Sequence, residues 1–222
     1  MTDLPAPVAI LFDWDNTLVD NWASITRALN ATLRAFGGGE LTEESVRGLV
    51  RHSMRDSFPK MFGERWNEAR DIFYNTFRSS HLETLKPLDG TTDLLRELNG
   101  LGLYVGVVSN KGGEFLRKEI EHLAWNALFQ RAVGAGDAVE DKPATAPVDL
   151  VLQGSGIGRS SAVWFVGDAA VDMECAIQAG CTPVLRASGD EPANAFENWP
   201  PAAVANSSAD ILSLVVKARQ TI

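Results

Sequence analysis

Near its amino end the chain reads Val8-Ala9-Ile10-Leu11-Phe12-Asp13-Trp14-Asp15. The five apolar residues predict a strand that is buried on both faces, as in a parallel sheet. Open α/β sheets bind ligands beyond the carboxyl ends of their strands, so Asp13 and Asp15 are predicted to lie where such a sheet carries out its chemistry. Two acids this close repel each other, and a divalent cation is the simplest way to offset their charge. The pattern indicates metal-assisted catalysis on an anionic substrate.

Composition and charge argue against two classes of partner. The chain has 222 residues, of which 45% are hydrophobic and 22% charged, a balance that supports a substantial core. The formal net charge of −9 argues against broad binding to nucleic acid or anionic membranes, since both require a positive field. The first residues form neither a basic segment nor a long apolar one, which predicts a cytoplasmic protein without a membrane span. Cys175 and Cys181 are expected to be reduced packing residues, with a short disulfide as the alternative.

Apolar runs separated by helical patterns predict a parallel sheet with helices on its faces. The predicted strands are 8–12, 103–108, 162–166 and 182–185, with a weaker strand at 131–133 and an edge strand at 203–205. The predicted helices cover 89–99, 169–179 and 209–219. The predicted fold class is α/β, with a Rossmann-like parallel sheet flanked by helices.

Residues 19–87 differ from the rest of the chain because they carry no convincing strand. Apolar residues fall at helical spacing between Ile25 and Phe36, Thr42 suits the start of a second helix, and a further amphipathic face covers 64–82. We predict a small all-α domain inserted after the first strand. On this division, residues 1–18 and 88–222 form the α/β core and residues 19–87 form the helical insert.

The acids at positions 13 and 15 allow three interpretations. A calcium loop requires glycine at its sixth position and glutamate at its twelfth, where this chain has Leu18 and Ser24, so that interpretation fails. The second is an acidic turn after a strand, which Asn16 would suit. The third makes Asp13 a nucleophile and Asp15 a proton donor and acceptor. The motif by itself leaves the last two open.

Two further motifs contribute a hydroxyl group and a cation. Ser109-Asn110 follows the predicted strand 103–108, where a hydroxyl and the neighbouring backbone amides can bind phosphate oxygens. A simple helix cap is the alternative. Lys142 is a compact charge suited to neutralising a phosphoryl group or a crowded carboxylate, and the alternative is a solvated surface lysine.

The fourth motif, Gly167-Asp168 followed by Asp172, comes after the predicted strand 162–166. Acids four residues apart would share one face of the first helical turn, where like charges cost stability unless a cation or the helix terminus compensates. Asp168 is therefore a candidate metal ligand. An N-cap role for Asp168 is the alternative, and it is compatible with metal binding.

Taken together and in this order, the four motifs resemble those of the haloacid dehalogenase-like hydrolase superfamily. They are Asp13-x-Asp15-x-Thr17, Ser109-Asn110, Lys142-Pro143 and Gly167-Asp168-x-x-x-Asp172. The resemblance covers almost the whole chain, and it implies that the helical insert is the small α-helical cap of this family. The subgroup that it resembles most is that of the phosphoglycolate-phosphatase-like phosphatases, through Thr17-Leu18-Val19-Asp20, Ser109-Asn110-Lys111 and Asp172-Met173-Glu174-Cys175-Ala176.

Two residues of the first motif depart from the pattern of the family. Asn16 stands where glycine is frequent, although asparagine accepts left-handed backbone geometry better than most residues. Trp14 is bulkier than the usual phenylalanine or leucine, and it either reshapes the entrance to the site or only packs. Neither departure removes a catalytic group.

The resemblance implies Mg²⁺-dependent hydrolysis of a small phosphorylated metabolite through an aspartyl-phosphate. Asp13 would attack phosphorus, and Asp15 would protonate the leaving oxygen and then deprotonate water. The catalytic residues so implied are Asp13, Asp15, Thr17, Ser109 and Lys142. The implied metal site comprises Asp13, Asp15 through its backbone carbonyl, Asp168 and, in support, Asp172.

Four other functions are alternatives to hydrolysis of a phosphate ester. A phosphosugar mutase would share the aspartyl-phosphate, and a catalytically silent binding domain would keep only the fold. Dehalogenation is disfavoured, since that branch resembles this chain but lacks the second acid, Asp15. Phosphonate cleavage would require a Schiff-base lysine in the insert, and the context of Lys60 gives no sign of desolvation.

The insert is expected to select the substrate. It carries a locally basic cluster in an acidic protein: Arg47, Arg51, His52, Arg55 and Lys60. Arg51 and Arg55 are predicted to bind a second anionic group of the substrate, beside the phosphoryl-binding Ser109, Asn110 and Lys142. The alternative is an ordinary solvated helix face. The expected assembly is a monomer or a homodimer.

Overall fold

The apolar run near the amino end forms β1 (Ala9–Phe12), and all four of its side chains are fully buried. β1 pairs in parallel with one strand on either side, so it is an inner strand of a parallel sheet. The helices that connect parallel strands cover both faces of such a sheet, which accounts for the burial of β1 on both faces. The computed structural model describes residues 4–49, 54–187, 189 and 194–220. Within them the chain divides into two compact units, one of residues 1–19 with 87–222 and the other of residues 20–86.

The first unit contains a six-stranded sheet in the described part of the chain, and every pairing in it is parallel. Besides β1, its strands are β4 (Tyr104–Gly112), β5 (Arg131–Ala135), β6 (Val163–Gly167), β7 (Thr182–Arg186) and β8 (Ala203–Ala205). Their order is β5-β4-β1-β6-β7-β8, so β1 lies between β4 and β6. The predicted α/β class and all six predicted strands are confirmed, with small shifts at their ends.

The largest shift is at the end of β4, which continues through Ser109 and Asn110 to Gly112 instead of ending at Val108. Its pairing with β5 shifts register between Val108 and Gly112. Ser109 and Asn110 therefore lie within β4, in the irregular part where its register with β5 shifts, and not after the strand.

Five helices accompany the sheet in the described residues of the first unit: α5 (Thr91–Gly100), α6 (Gly113–His122), α7 (Ala146–Leu152), α8 (Ala170–Gln178) and α9 (Ser208–Gln220). The predicted helices 89–99, 169–179 and 209–219 correspond to α5, α8 and α9. The sequence analysis did not identify α6 and α7. Both lie between segments that were assigned by their motifs, and α7 spans only two turns.

The second unit is helical in its described residues. Its helices are α1 (Trp22–Ala35), α2 (Glu43–Leu49), α3 (Met54–Phe62) and α4 (Trp66–Thr84). The sequence missed α3, which contains Pro59, a residue that normally breaks helices. Phe58 contacts Phe62 and Phe73 edge to face, so aromatic packing joins α3 to α4.

Two short strands, β2 (Val19–Asp20) and β3 (Lys86–Pro87), form a two-stranded sheet where the chain passes between the two units. This pair stands close to the predicted boundaries of the insert. None of the described helices has the length and apolar character that crossing a membrane requires.

Both cysteines are buried and unlinked, as the expectation of reduced packing residues requires. Cys175 and Cys181 belong to the core between the sheet and the helices. Burial raises the pKa of the Cys175 thiol to about 12 and that of Cys181 to about 11, so both thiols stay protonated near neutral pH.

Candidate active site

Three of the predicted acids meet beyond the carboxyl ends of β1 and β6. Asp13 directly follows β1, Asp168 directly follows β6, and Asp172 lies in the first turn of α8. One carboxylate oxygen from each lies within 4.8 Å of the others. The backbone N–H of Asp13 donates to the carbonyl of Val166 at 2.9 Å, which continues the pairing of the two strands and fixes where Asp13 stands.

Lys142 supplies the cation of this cluster. Its Nζ donates to Asp13 Oδ1 and to Asp172 Oδ1, at 2.6 Å in each case, and its side chain is only 2% exposed. The alternative of a solvated surface lysine is therefore wrong. Asn110 holds the backbone of Lys142 through both polar atoms of its side-chain amide.

The electrostatics of the cluster follow from three acids sharing one cation. Burial raises the pKa of Asp13 to about 7, with Asp172 adding to the rise and Lys142 opposing it. Burial also raises the pKa of Asp168, and the nearby Asp13 and Asp172 raise it further. Burial would lower the pKa of Lys142, but the two carboxylates beside it outweigh that effect and the pKa is raised. The lysine thus stays charged at neutral pH.

The fourth motif differs from its predicted helical geometry. Helix α8 begins at Ala170, so Asp168 precedes the helix, does not share its first turn with Asp172, and is not the N-cap. Ala169 is the N-cap, and Asp172 Oδ2 accepts its backbone N–H at 3.0 Å. A Cβ at Gly167 would lie 2.4 Å from the Asp172 side chain, so the motif requires glycine there. The two acids still converge, although the chain bends at 168–169 and enters the helix only at Ala170.

Thr17 and Asn16 shape the loop after β1. The Thr17 hydroxyl is buried and donates to Asp168 Oδ1 at 3.2 Å, which links the first motif to the fourth. Asn16 has φ of 62°, the left-handed geometry that its amide side chain was expected to tolerate. Ser109 is buried in the last part of β4, three residues before Gly112, and its Oγ accepts the backbone N–H of Lys111 at 3.2 Å.

Asp15 has a partner that the sequence analysis did not identify. Lys111 Nζ donates to Asp15 Oδ1 at 2.7 Å and to Glu119 Oε2 at 2.6 Å. Glu119 Oε2 also accepts the indole N–H of Trp14 at 2.6 Å. Glu119 lies among apolar residues on the buried face of α6, a position that indicates a paired acid. The sequence did not predict α6, so it did not predict this pairing either.

The side chain of Trp14 packs inside the first unit. It is fully buried and contacts the rings of Trp125 and Phe129 edge to face, with centroids 5.8 and 6.2 Å away. Of the two interpretations of this departure, packing is the one that the structure supports. The indole does not line an entrance.

The basic cluster of the insert is described only in part. Arg51 and His52 lie outside the described residues, and so does the side chain of Arg55. Arg47 pairs with Glu43 at 2.7 Å and stacks over the Trp22 ring. Lys60 is exposed, in agreement with the absence of any sign of desolvation. Binding of substrate by Arg51 and Arg55 stays a prediction.

The donor set suits a hard divalent cation. Asp13, Asp168 and Asp172 offer carboxylate oxygens, the ligand type that Mg²⁺ prefers, and they are close enough to share one ion. Burial and mutual repulsion raise the pKa values of Asp13 and Asp168. The charge of a bound cation would offset the repulsion and stabilise both carboxylates in their ionised form. The residues present therefore fit a bound metal.

Comparison with known proteins decides the family. A family model described as haloacid dehalogenase-like hydrolase matches residues 10–185. The chain belongs to the haloacid dehalogenase-like hydrolases. A phosphoglycolate phosphatase from Aquifex aeolicus is 31% identical over 180 residues, which cover 79% of this chain and 83% of that protein. A phosphoglycolate phosphatase from Pectobacterium atrosepticum is 30% identical over 223 aligned residues, covering 97% and 95% respectively.

A solved structure shows the same fold. It is a haloacid dehalogenase-like family hydrolase from Streptococcus pneumoniae, which superposes with a TM-score of 0.83 over 96% of this chain and 99% of its own, at 21% identity. The predicted recognition is confirmed: the chain is a phosphoglycolate-phosphatase-like member of the family. The predicted enzyme class, a haloacid dehalogenase-like phosphatase, is confirmed with it.

Proposed function

We propose that this haloacid dehalogenase-like phosphatase hydrolyses small phosphate monoesters with Mg²⁺, through an aspartyl-phosphate on Asp13. The observation that carries the proposal is the position of Asp13, which has the Lys142 ammonium 2.6 Å from its Oδ1 and Asp168 and Asp172 close by. A carboxylate fixed in this way can attack a phosphorus atom in line, and the Lys142 ammonium can stabilise the negative charge on the phosphoryl oxygens.

Asp13 forms the new bond. One of its carboxylate oxygens bonds to phosphorus while the bond between phosphorus and the ester oxygen breaks. Lys142 keeps its charge at neutral pH, because the adjacent carboxylates raise its pKa. It therefore favours the ionised form of Asp13 that attack requires, and it offers a cation to the phosphoryl oxygens. Ser109 lies in the last part of β4 and would donate to the same oxygens.

Asp15 moves the proton. It would protonate the leaving oxygen in the first step and take a proton from the attacking water in the second. Asp15 stands two residues beyond Asp13 in the same loop, and its carboxylate is held by Lys111 at 2.7 Å. One acid thus bonds to phosphorus, and the other transfers protons on either side of that event.

The predicted metal ligands are the residues that would hold Mg²⁺: Asp13, Asp168, the backbone carbonyl of Asp15 and, in support, Asp172. When bound, the ion would neutralise negative charge on the phosphoryl group and on the acids. Thr17 would orient the site through its hydrogen bond to Asp168. Asn110 would act mainly through Lys142, whose backbone it binds, and its contact with substrate stays a prediction.

The substrate proposed is a small anionic phosphorylated metabolite, such as 2-phosphoglycolate. Support comes from the names of the Aquifex aeolicus and Pectobacterium atrosepticum relatives. We propose that the helical unit of residues 20–86 acts as the cap that selects this substrate. A cytoplasmic location, a monomeric or homodimeric state and the lack of a nucleic-acid partner stay predictions.

Phosphate release from a panel of phosphorylated metabolites with Mg²⁺, including 2-phosphoglycolate and sugar phosphates, tests the proposal. Formation of an isomeric phosphate is followed in the same reactions, because a mutase would yield isomer instead of free phosphate. The matched control is Asp149→Asn, which removes a surface acid paired with Arg159. We expect release by the wild type and by this control. Failure of the wild type on every ester would contradict the proposal, and isomer without phosphate would favour the mutase.

A further inference from the structure

Glu119 is a fully buried acid that the proposed reaction leaves without a role. It lies on the inner face of α6, and its exposed fraction is 0%. Burying a carboxylate is costly unless charged or hydrogen-bonding groups compensate it. Here the same oxygen, Oε2, accepts from Lys111 Nζ and from the Trp14 indole N–H, at 2.6 Å in each case. A carboxylate held this firmly fixes the position of the side chains that donate to it.

The residue so positioned is Lys111. Its side chain is only 6% exposed, and its ammonium lies between Glu119 and Asp15. The contact to Asp15 Oδ1 is 2.7 Å. A lysine stem is flexible and costly to order, so fixing its nitrogen requires a rigid anchor. Glu119 is that anchor, and it also balances the charge of the lysine.

Trp14 makes the anchor rigid. Its ring packs edge to face against Trp125 and Phe129 and has no exposed surface, so its N–H has one fixed direction. Trp14 also stands between Asp13 and Asp15 in the chain, so the network starts and ends in the same loop. The departure of Trp14 from the usual residue is thereby connected to Asp15.

We infer that Lys111 is a positioning residue for Asp15 and that Glu119 and Trp14 hold Lys111 in place for this task. The inference rests on the proposed role of Asp15 as the proton donor. In that step the Asp15 O–H bond breaks and the proton passes to the ester oxygen, while phosphorus bonds to Asp13. Lys111 keeps its protons and only sets the direction of the Asp15 carboxyl group.

Two esters with different leaving groups separate this role from a structural one. An alkoxide requires a proton as it leaves, whereas nitrophenolate leaves without one. The experiment compares kcat/KM for 2-phosphoglycolate, or for the aliphatic ester that the wild type hydrolyses fastest, with kcat/KM for p-nitrophenyl phosphate. Their ratio is independent of the folded fraction, because the two rates come from the same sample. Since kcat/KM covers the reaction only up to formation of the aspartyl-phosphate, the ratio depends on the first step and not on the later attack of water.

The variants are Lys111→Met, Glu119→Gln and Trp14→Phe. The matched control is Lys118→Gln on α6, the helix that carries Glu119, where Lys118 forms an exposed pair with Glu114. We expect Lys111→Met to lower the ratio of kcat/KM for the aliphatic ester to kcat/KM for the nitrophenyl ester by about tenfold or more, which is part of the roughly 10²–10⁴-fold that general acid–base catalysis contributes. Glu119→Gln and Trp14→Phe should lower it less, and the control should leave it unchanged. In an Asp15→Asn background, Lys111→Met should leave the ratio where it is.

Three outcomes would overturn the inference. Equal losses on the two esters would reduce Lys111 to a structural or substrate-binding residue. A further fall of the ratio in the Asp15→Asn background would show that Lys111 acts on the leaving group directly. Wild-type kcat/KM on both esters in Lys111→Met would remove the role altogether. A wild type that hydrolyses neither ester would instead reject the proposed phosphatase and this inference with it, a result distinct from the other three.

Discussion

Asn110 holds Lys142 through both polar atoms of its side-chain amide. Its Nδ2 donates to the Lys142 carbonyl and its Oδ1 accepts the Lys142 N–H, at 3.0 Å in each case. The ammonium of the same lysine reaches Asp13 and Asp172. The asparagine of the second motif therefore sets the position of the cation of the third.

Replacing Asn110 by alanine tests this connection. Because two neutral hydrogen bonds are lost, the free energy of unfolding should fall by about 1–3 kcal/mol. The rate of phosphate release should fall by about tenfold or more, since Lys142 would no longer be held against Asp13. Urea unfolding and steady-state kinetics check the two effects. Full activity in a folded Asn110→Ala protein would show that Lys142 needs no support from Asn110.

Gly167→Ala tests the close approach at the fourth motif. An added Cβ would lie 2.4 Å from Asp172, so the carboxylate that contacts Lys142 must move. We expect a loss of about 1–3 kcal/mol in the free energy of unfolding, together with a loss of activity. Gly158→Ala is the control, because its Cβ would meet nothing within 4 Å. Equal stability of the two variants by thermal unfolding would contradict the packing described for Gly167.

Asp168→Asn tests the metal site. Asp168 belongs to the acidic cluster at the ends of β1 and β6, so loss of its charge should weaken Mg²⁺ binding by at least about tenfold. Calorimetric titration with Mg²⁺ measures this without any substrate. The surface variant Asp149→Asn should bind Mg²⁺ as the wild type does. Wild-type affinity in Asp168→Asn would exclude Asp168 as a ligand.

Mg²⁺ binding should depend on pH through Asp13. Burial raises the pKa of Asp13 from 3.8 to about 7, so the metal-free protein binds a proton that an unfolded chain has lost by then. This contribution to stability is present below about pH 4 and is lost as the pH rises through about 7. Thermal unfolding of the metal-free protein should therefore shift to lower temperature over that range. Because the metal requires the carboxylate of Asp13, and the pKa of its other ligand Asp168 is raised as well, its affinity should rise by at least about tenfold from about pH 6 to about pH 8. An affinity that does not change with pH would show that Asp13 is ionised throughout.

The sheet could be predicted from the sequence because its strands are short apolar runs that end at chemical motifs. The burial of β1 (Ala9–Phe12) on both faces followed directly from its composition. Helix α6 was missed because its inner face includes the charged Glu119, which breaks the apolar pattern. Helix α3 was missed because Pro59 normally ends a helix.

In the candidate site, too, some residues could be predicted from the sequence and others could not. Asp13 and Asp168 could be predicted because each directly follows an apolar run that predicts a strand. Lys142 could be predicted because its motif stands third in the order of the four motifs. The partners of Asp15 could not, since Lys111 and Glu119 meet only through the packing of α6 against the loop that carries Trp14. Long-range contacts of this kind leave no spacing in the sequence to detect.

The most direct test of the central claim is acid quenching of the enzyme during the first turnover of a ³²P-labelled ester, followed by peptide mapping. We expect label bound covalently to the peptide that contains Asp13, and none in Asp13→Asn. Release of labelled phosphate by the wild type without any labelled protein at any time, together with full activity of Asp13→Asn, would contradict it.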